Sequence, residues 1–168
     1  MIKSFRGKIP RIAPSAFVSE AAYVAGDVEI GENSSVWPGA VIRGDFASIK
    51  VGNNTQIEDG CVVHAGTDMV IGDNVHIGHG AVVHCSRIGN KVLIGINATL
   101  LDGVEVGDFC LIAANSLVSA GSKIPQGSFV AGVPGRIKGK LSPEQAIRSD
   151  RGAESYVKIA AEYRQLGL

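Results

Sequence analysis

Four histidines fall within 21 positions of this 168-residue chain: His64, His76, His79 and His84. Neutral imidazole is the commonest side-chain ligand for transition metals, and three of them around one ion leave a fourth position open to water. A centre of that kind lowers the pKa of water toward about 7 and so supplies hydroxide near neutral pH. The three cysteines, Cys61, Cys85 and Cys110, are too scattered for a CxxC knuckle or a disulfide framework. Histidine is therefore the candidate ligand type.

What must position these histidines is a six-residue repeat. Aliphatic residues recur at Ile12, Val18, Val24, Ile30, Val36 and Ile42. They resume at Val51, Ile57 and Val63, again at Ile71, Ile77 and Val83, and then run unbroken from Ile88 to Val130. Four places after the aliphatic stands a small residue, as at Ser34, Ala40, Thr55, Cys61, Ala81, Ala98 and Cys110. A short strand would turn both residues inward. The glycines that follow the aliphatic, Gly31, Gly52, Gly72, Gly89 and Gly107, are expected to permit the corners. Three hexads then make one triangular coil, and coils stack as parallel strands about 4.8 Å apart.

The fold class expected is mainly β: a left-handed parallel β-helix of hexapeptide repeats over residues 1–137, with a C-terminal α-helical segment, 138–168, packed on it. The left hand belongs to the known hexapeptide-repeat architecture and does not follow from the period, since strand crossovers are usually right-handed. The repeat ends near Val133-Pro134. Ser142-Pro143-Glu144-Gln145 reads as an N-cap, a proline at the first helical position and a capping-box glutamine. A second helical stretch, Ala153 to Leu166, carries Tyr156, Val157, Ile159, Ala160 and Tyr163 on one apolar stripe, with Gly152 separating the two.

Composition agrees with a narrow prism. Aromatics are 5% of the chain against 45% apolar residues and 22 glycines, which suits thin aliphatic layers. Sixteen basic and sixteen acidic residues cancel, and no basic run points to nucleic acid or an anionic membrane. The chain has no apolar run long enough for a membrane span, and Met1 to Pro14 lacks the core of a signal peptide. A cytoplasmic, reduced location is expected.

Assigning the aliphatics to the three sides in rotation puts Ile42, Val63, Val83 and Leu100 on one side. The residues after the first three, Arg43, His64 and His84, then form an outward column in which stacked imidazoles can share a metal. His79, two places after Ile77, falls on another side, beyond a corner. A neighbouring subunit could supply it, so that each interface of a threefold trimer would hold one metal between two histidines of one chain and one of the next. Zinc suits such a site, as would iron or cobalt. His76 has no stacked partner and reads as a surface residue. The spacing stretches to nine after Ile42 and eight after Val63, then shrinks to five after Val83, so loops are expected beside this column.

At these residues the chain resembles the γ-class carbonic anhydrase family. The marks are Arg43-Gly44-Asp45, Gln56-Ile57-Glu58-Asp59-Gly60, Val63-His64, and Gly78-His79 with His84 five later. Leu100-Leu101-Asp102-Gly103 and Gly132-Val133-Pro134 extend the likeness, which spans residues 10–165. The resemblance implies a homotrimer with intersubunit metal sites and His64, His79 and His84 as ligands. It implies an Arg43–Asp45 salt bridge at the interface, with Asp59 supporting the ligands. It also implies reversible hydration of CO2 to bicarbonate, with hydroxide as nucleophile and with Gln56 and Glu58 orienting the solvent.

Two departures bear on that chemistry. The family usually has Asn and Gln where this chain has Gln56 and Glu58, and a glutamate could accept the solvent's proton or raise its pKa. The stretch Phe46-Ala47-Ser48-Ile49-Lys50 lacks the glutamates of a proton-relaying loop, and Ala65 to Met69 offers only Asp68. In this respect the chain is closer to loop-less relatives found beside phenylacetate and carnitine pathways. Two other functions stay open: acyl transfer or thioester hydrolysis with CoA, and a non-catalytic metal-binding trimer serving as a scaffold. Among the cysteines, Cys61 and Cys110 are expected to pack inward and Cys85 to be exposed.

Overall fold

The structure, a computed structural model, describes residues 1–64 and 66–167; the side chains of residues 143 and 145–154 lie outside the described set. The hexads close a three-sided prism of about seven turns, the left-handed parallel β-helix that their aliphatics call for. The first side takes the opening halves of Tyr23–Ile30 and Val41–Val51, then Val62–His64, Val82–Val83, Thr99–Leu100 and Leu117–Val118 in parallel. The second side takes Arg11–Ile12, the closing halves of the two long strands, Met69–Ile71, Arg87–Ile88, Glu105–Val106 and Lys123–Ile124. The third side runs from Phe17–Val18 through Ser35–Val36, Gln56–Ile57, His76–Ile77, Leu93–Ile94 and Leu111–Ile112 to Ser128–Ala131.

The rotation read from the sequence is the rotation found. Ile42 pairs with Val63, Val63 with Val83 and Val83 with Leu100, and all four are fully buried. Each such side chain contributes about 1.5–3 kcal/mol by leaving water. The small positions are buried as well, and their hydroxyls are satisfied inside the prism. Ser34 donates to the Gly52 carbonyl at 2.7 Å and accepts from the Thr55 amide at 2.9 Å. Thr55 repeats this one coil on, donating to Gly72 and accepting from Val75.

The glycines after the aliphatics serve a different purpose from the one expected. The left-handed backbone at these corners lies two places later, at Asn33, Asn54, Asn74, Lys91 and Phe109. Gly31, Gly52, Gly72, Gly89 and Gly107 are needed because stacked coils touch there: a Cβ on Gly52 would lie 2.7 Å from the Gly72 carbonyl carbon. The loop expected after Arg43 is also absent. Val41–Val51 is one continuous strand that crosses the corner alongside Tyr23–Ile30, with a register shift between Gly26 and Val28 that absorbs the extra residues. Ala65, in the second stretched segment, lies outside the described residues.

Arg136–Lys140 turns back antiparallel along Ser128–Ala131. The helix α1 follows as a single element, Pro143–Leu166, with no break at Gly152. A glycine inside a helix costs about 1 kcal/mol, which docking on the prism offsets. The capping glutamine expected at Gln145 lies outside the described side chains. Tyr156 and Tyr163 meet Trp37 edge-on at 5.4 and 5.1 Å, and Tyr163 meets Phe17 at 5.7 Å. Arg164 donates to the carbonyls of Pro14 and Ser15, both at 2.8 Å. No helix of the described residues is long and apolar enough to cross a membrane.

Cys61 and Cys110 are buried as expected, but Cys85 is buried too. It joins the buried core directly after His84, and burial pushes its thiol up to about 12.

Candidate metal centre

The parallel register carries the column past the aliphatics. Arg43 pairs with His64, and Val63 with Val83, so His64 and His84 stack one coil apart. His64 Nδ1 lies 3.1 Å from His84 Nε2, with ring centroids 5.2 Å apart. The far nitrogens are both held by carboxylates: His64 Nε2 by Asp45 at 2.8 Å and His84 Nδ1 by Asp102 at 3.0 Å. Asp45 is placed to accept from His64 Nε2, which in a neutral ring would leave the His64 Nδ1 lone pair facing His84. With Asp102 beside His84 Nδ1, a cation between the facing nitrogens would take a lone pair from each ring. Two nitrogens on one tetrahedral zinc, at about 2.0–2.1 Å each, are about 3.3–3.4 Å apart, so this donor pair fits a metal ion.

Asp45 also pairs with Arg43 of the same chain. Burial raises its carboxyl, but the bond from His64 and the Arg43 charge outweigh that and leave it below the ordinary range. Phe46 follows, 77% exposed, its ring edge-on to His64 at 5.7 Å.

His79 sits at the corner between the third and first sides, stacked on Asp59 through a bond from the Gly80 amide to the Asp59 carbonyl. Both of its ring nitrogens meet carboxylates: Nδ1 with Asp59 at 3.0 Å and Nε2 with Glu58 at 3.1 Å. Glu58 is 3% exposed and accepts further bonds from the His79 amide at 2.9 Å and from His76 Nε2 at 2.7 Å. Burial raises the Glu58 carboxyl, yet bonds from His76 and the Tyr156 hydroxyl together bring it below its usual value. Tyr156 is pushed upward, by burial and by the same carboxylate.

The candidate residues thus form two groups. Arg43, Asp45, His64 and His84 are together on the first side; Glu58, Asp59 and His79 are together at a corner. Gln56 bonds to neither: its amide donates to the Asn54 carbonyl at 2.6 Å, and its buried Oε1 has no partner. Among the described residues of one chain, no group of three or more His, Cys, Asp or Glu is arranged to hold a metal.

His76 is not the surface residue its lack of a stacked imidazole implied. Its side chain is 13% exposed, bonded to Glu58 and covered by α1. Two supporting residues went unread as such. Asp102 follows Leu100 by two, and Leu100 is in the column of Val83, so the register could have matched it to His84. Tyr156 carries no such signal, because only the docking of α1 brings it to Glu58.

The family model for "Bacterial transferase hexapeptide (six repeats)" matches residues 10–44 and 85–120. A Methanocaldococcus jannaschii protein named "Probable carbonic anhydrase" is 46% identical over 151 residues, covering 89% of this chain and 95% of that one. "Gamma carbonic anhydrase 2, mitochondrial" of Arabidopsis thaliana is 38% identical over 161 residues; the match covers 91% of this chain but only 58% of the longer plant protein. The crystal structure of a hexapeptide transferase family protein from Anaplasma phagocytophilum superposes with a TM-score of 0.93 at 34% identity, covering 96% and 97% of the two chains.

Proposed function

The chain belongs to the γ-class carbonic anhydrase family of hexapeptide-repeat proteins, and from that premise we propose that it is a metal-dependent trimer that hydrates CO2 reversibly to bicarbonate. The observation that carries the reading is the 3.1 Å approach of His64 Nδ1 to His84 Nε2, with a carboxylate beside the far nitrogen of each ring. Such carboxylate–histidine pairs are what orient imidazoles toward a metal.

His64 and His84 would hold the ion from one chain and His79 from the next. Asp45 and Asp102 stand at the far nitrogens of His64 and His84, while His79, whose ring nitrogens meet Glu58 and Asp59 in the single chain, would have to release one of them to bind the ion. A bound zinc, iron or cobalt ion would supply the Lewis acidity that makes hydroxide available near neutral pH. Glu58, buried yet held below its ordinary value by its donors, stays an ionised carboxylate beside His79, and Phe46 gives the mouth beside His64 an apolar wall suited to CO2. Arg43 and Asp45 fix the edge of the column.

Assembly has support in the first side's outer face. Tyr23, Val41, Val62 and Val82 lie in register as an apolar stripe beside the histidine column, and Tyr23, Val62 and Val82 are exposed in the single chain. A second copy packed there would cover the stripe and bring a His79 to the column.

The test is elemental analysis of the purified protein followed by a CO2 hydration assay on the same sample. Turnover that is lost with the metal and with His64→Ala supports the reading, and a metal-loaded trimer without turnover overturns it. A second reading, acyl transfer from a CoA thioester, is favoured by the likeness to the hexapeptide transferase family protein. Calorimetric binding of acetyl-CoA by the metal-free protein would favour that alternative.

A further inference from the structure

Resting on the metal reading above, we propose that Glu58 competes with the ion for His79 Nε2 and so sets the affinity of the site, while its neighbour Asp59 acts in the opposite sense. The two carboxylates on the His79 ring are not equivalent. Glu58 meets Nε2 at 3.1 Å and is 3% exposed; Asp59 meets Nδ1 at 3.0 Å and its side chain is half-exposed. An ion shared with the histidine column of a neighbouring subunit lies outside this chain, so the ring has to turn outward to reach it. Asp59 can follow that motion. Glu58, being buried, cannot.

Glu58 is also held by bonds that do not involve the ring. Its Oε1 accepts from His76 Nε2 at 2.7 Å, and its Oε2 accepts from the His79 backbone amide at 2.9 Å. Oε2 is the same oxygen that meets the His79 ring. Both oxygens therefore keep a donor when the ring leaves, and releasing Nε2 leaves no bare carboxylate in the interior. What is given up is a contact to a charged group, which is stronger than an ordinary hydrogen bond. The ion has to replace it, so Glu58 subtracts from binding. Asp59 stays on the other nitrogen, where a carboxylate fixes the direction of a ligating imidazole and raises its basicity. The charge of Glu58 taken alone gives the reverse expectation, because a carboxylate near a cation attracts it. The sign of the effect separates the two.

The experiment uses the full-length trimer and Co2+ as the probe, with affinity from competition against a chelator at neutral pH. Glu58→Gln should tighten Co2+ binding about 10-fold, because a neutral amide holds the ring less strongly. Asp59→Asn should weaken it about 10-fold, as loss of a ligand's supporting partner does elsewhere. Circular dichroism and light scattering check that each variant is a folded trimer. Glu58→Asp, which keeps the charge but draws it back from the ring by one methylene, serves if the glutamine variant does not fold, and it should tighten binding too. Unchanged or weaker binding in Glu58→Gln, with binding still abolished by His64→Ala, overturns the competition alone, as does tighter binding in Asp59→Asn. No Co2+ binding in the wild type and in Glu58→Gln alike overturns the metal reading and the competition with it.

Discussion

His64 Nδ1 and His84 Nε2 face each other across 3.1 Å, although twenty residues separate them in the chain. The distance is a product of register: one coil of chain leads from the first to the second, and a carboxylate stands beside the far nitrogen of each ring. Removing one of those carboxylates should therefore be felt at the metal. Asp102→Asn is expected to weaken Co2+ binding about 10-fold or more without loss of fold, measured by competition with a chelator. Unchanged affinity would mean that His84 is oriented by something else.

The exposed apolar stripe beside the column predicts how the chains assemble. Val62→Asp puts a charge at its centre and should convert the trimer to monomers while the circular dichroism of the β-helix persists. Light scattering reads the outcome, and a Val62→Asp trimer would show that the subunits meet elsewhere.

The register was legible because one aliphatic per side is the only filling a thin prism accepts. Ile42, Val63, Val83 and Leu100 gave the sides their order, and His64 over His84 followed. The corner glycines misled because the sequence does not tell a tight turn from a close approach: Gly52 is squeezed against the next coil, while Asn54 takes the left-handed backbone. His76 was unreadable for another reason. Its partner Glu58 lies eighteen residues earlier, and its cover comes from Tyr156, eighty residues later, which no local pattern links to it.

That difference has a stability consequence. Gly52→Ala must push two coils apart, and it should destabilise the protein by about 1–3 kcal/mol in urea denaturation. A neutral Gly52→Ala would return the glycine to the role of a simple turn.

Glu58 gives a pH dependence of known sign. Its carboxyl is lowered in the fold from an ordinary value of 4.5, so its stabilisation is complete above that value and is lost as pH falls through the lower folded value. Wild type should exceed Glu58→Gln by about 1–3 kcal/mol near neutral pH, because the neutral amide leaves donors unmet. The gap should hold down to about pH 5 and close below it. A gap that widens in acid contradicts the assignment.

The thiols should be silent. Burial pushes Cys61 up to about 11 and Cys85 up to about 12, so neither is a thiolate at neutral pH. A thiol reagent at about pH 8 should label the protein only at the rate at which it unfolds. Fast labelling of Cys85 in the native state would place it at the surface after all.

A metal held between subunits is tested directly by subunit mixing. His64→Ala and His79→Ala chains, each unable to complete a site alone, are co-refolded and their Co2+ content is measured. The homotrimers should be empty, and mixed trimers should recover about one site each, at the interface where an intact His64 and His84 meet an intact His79. Metal in either homotrimer, or none in the mixed trimers, would contradict it.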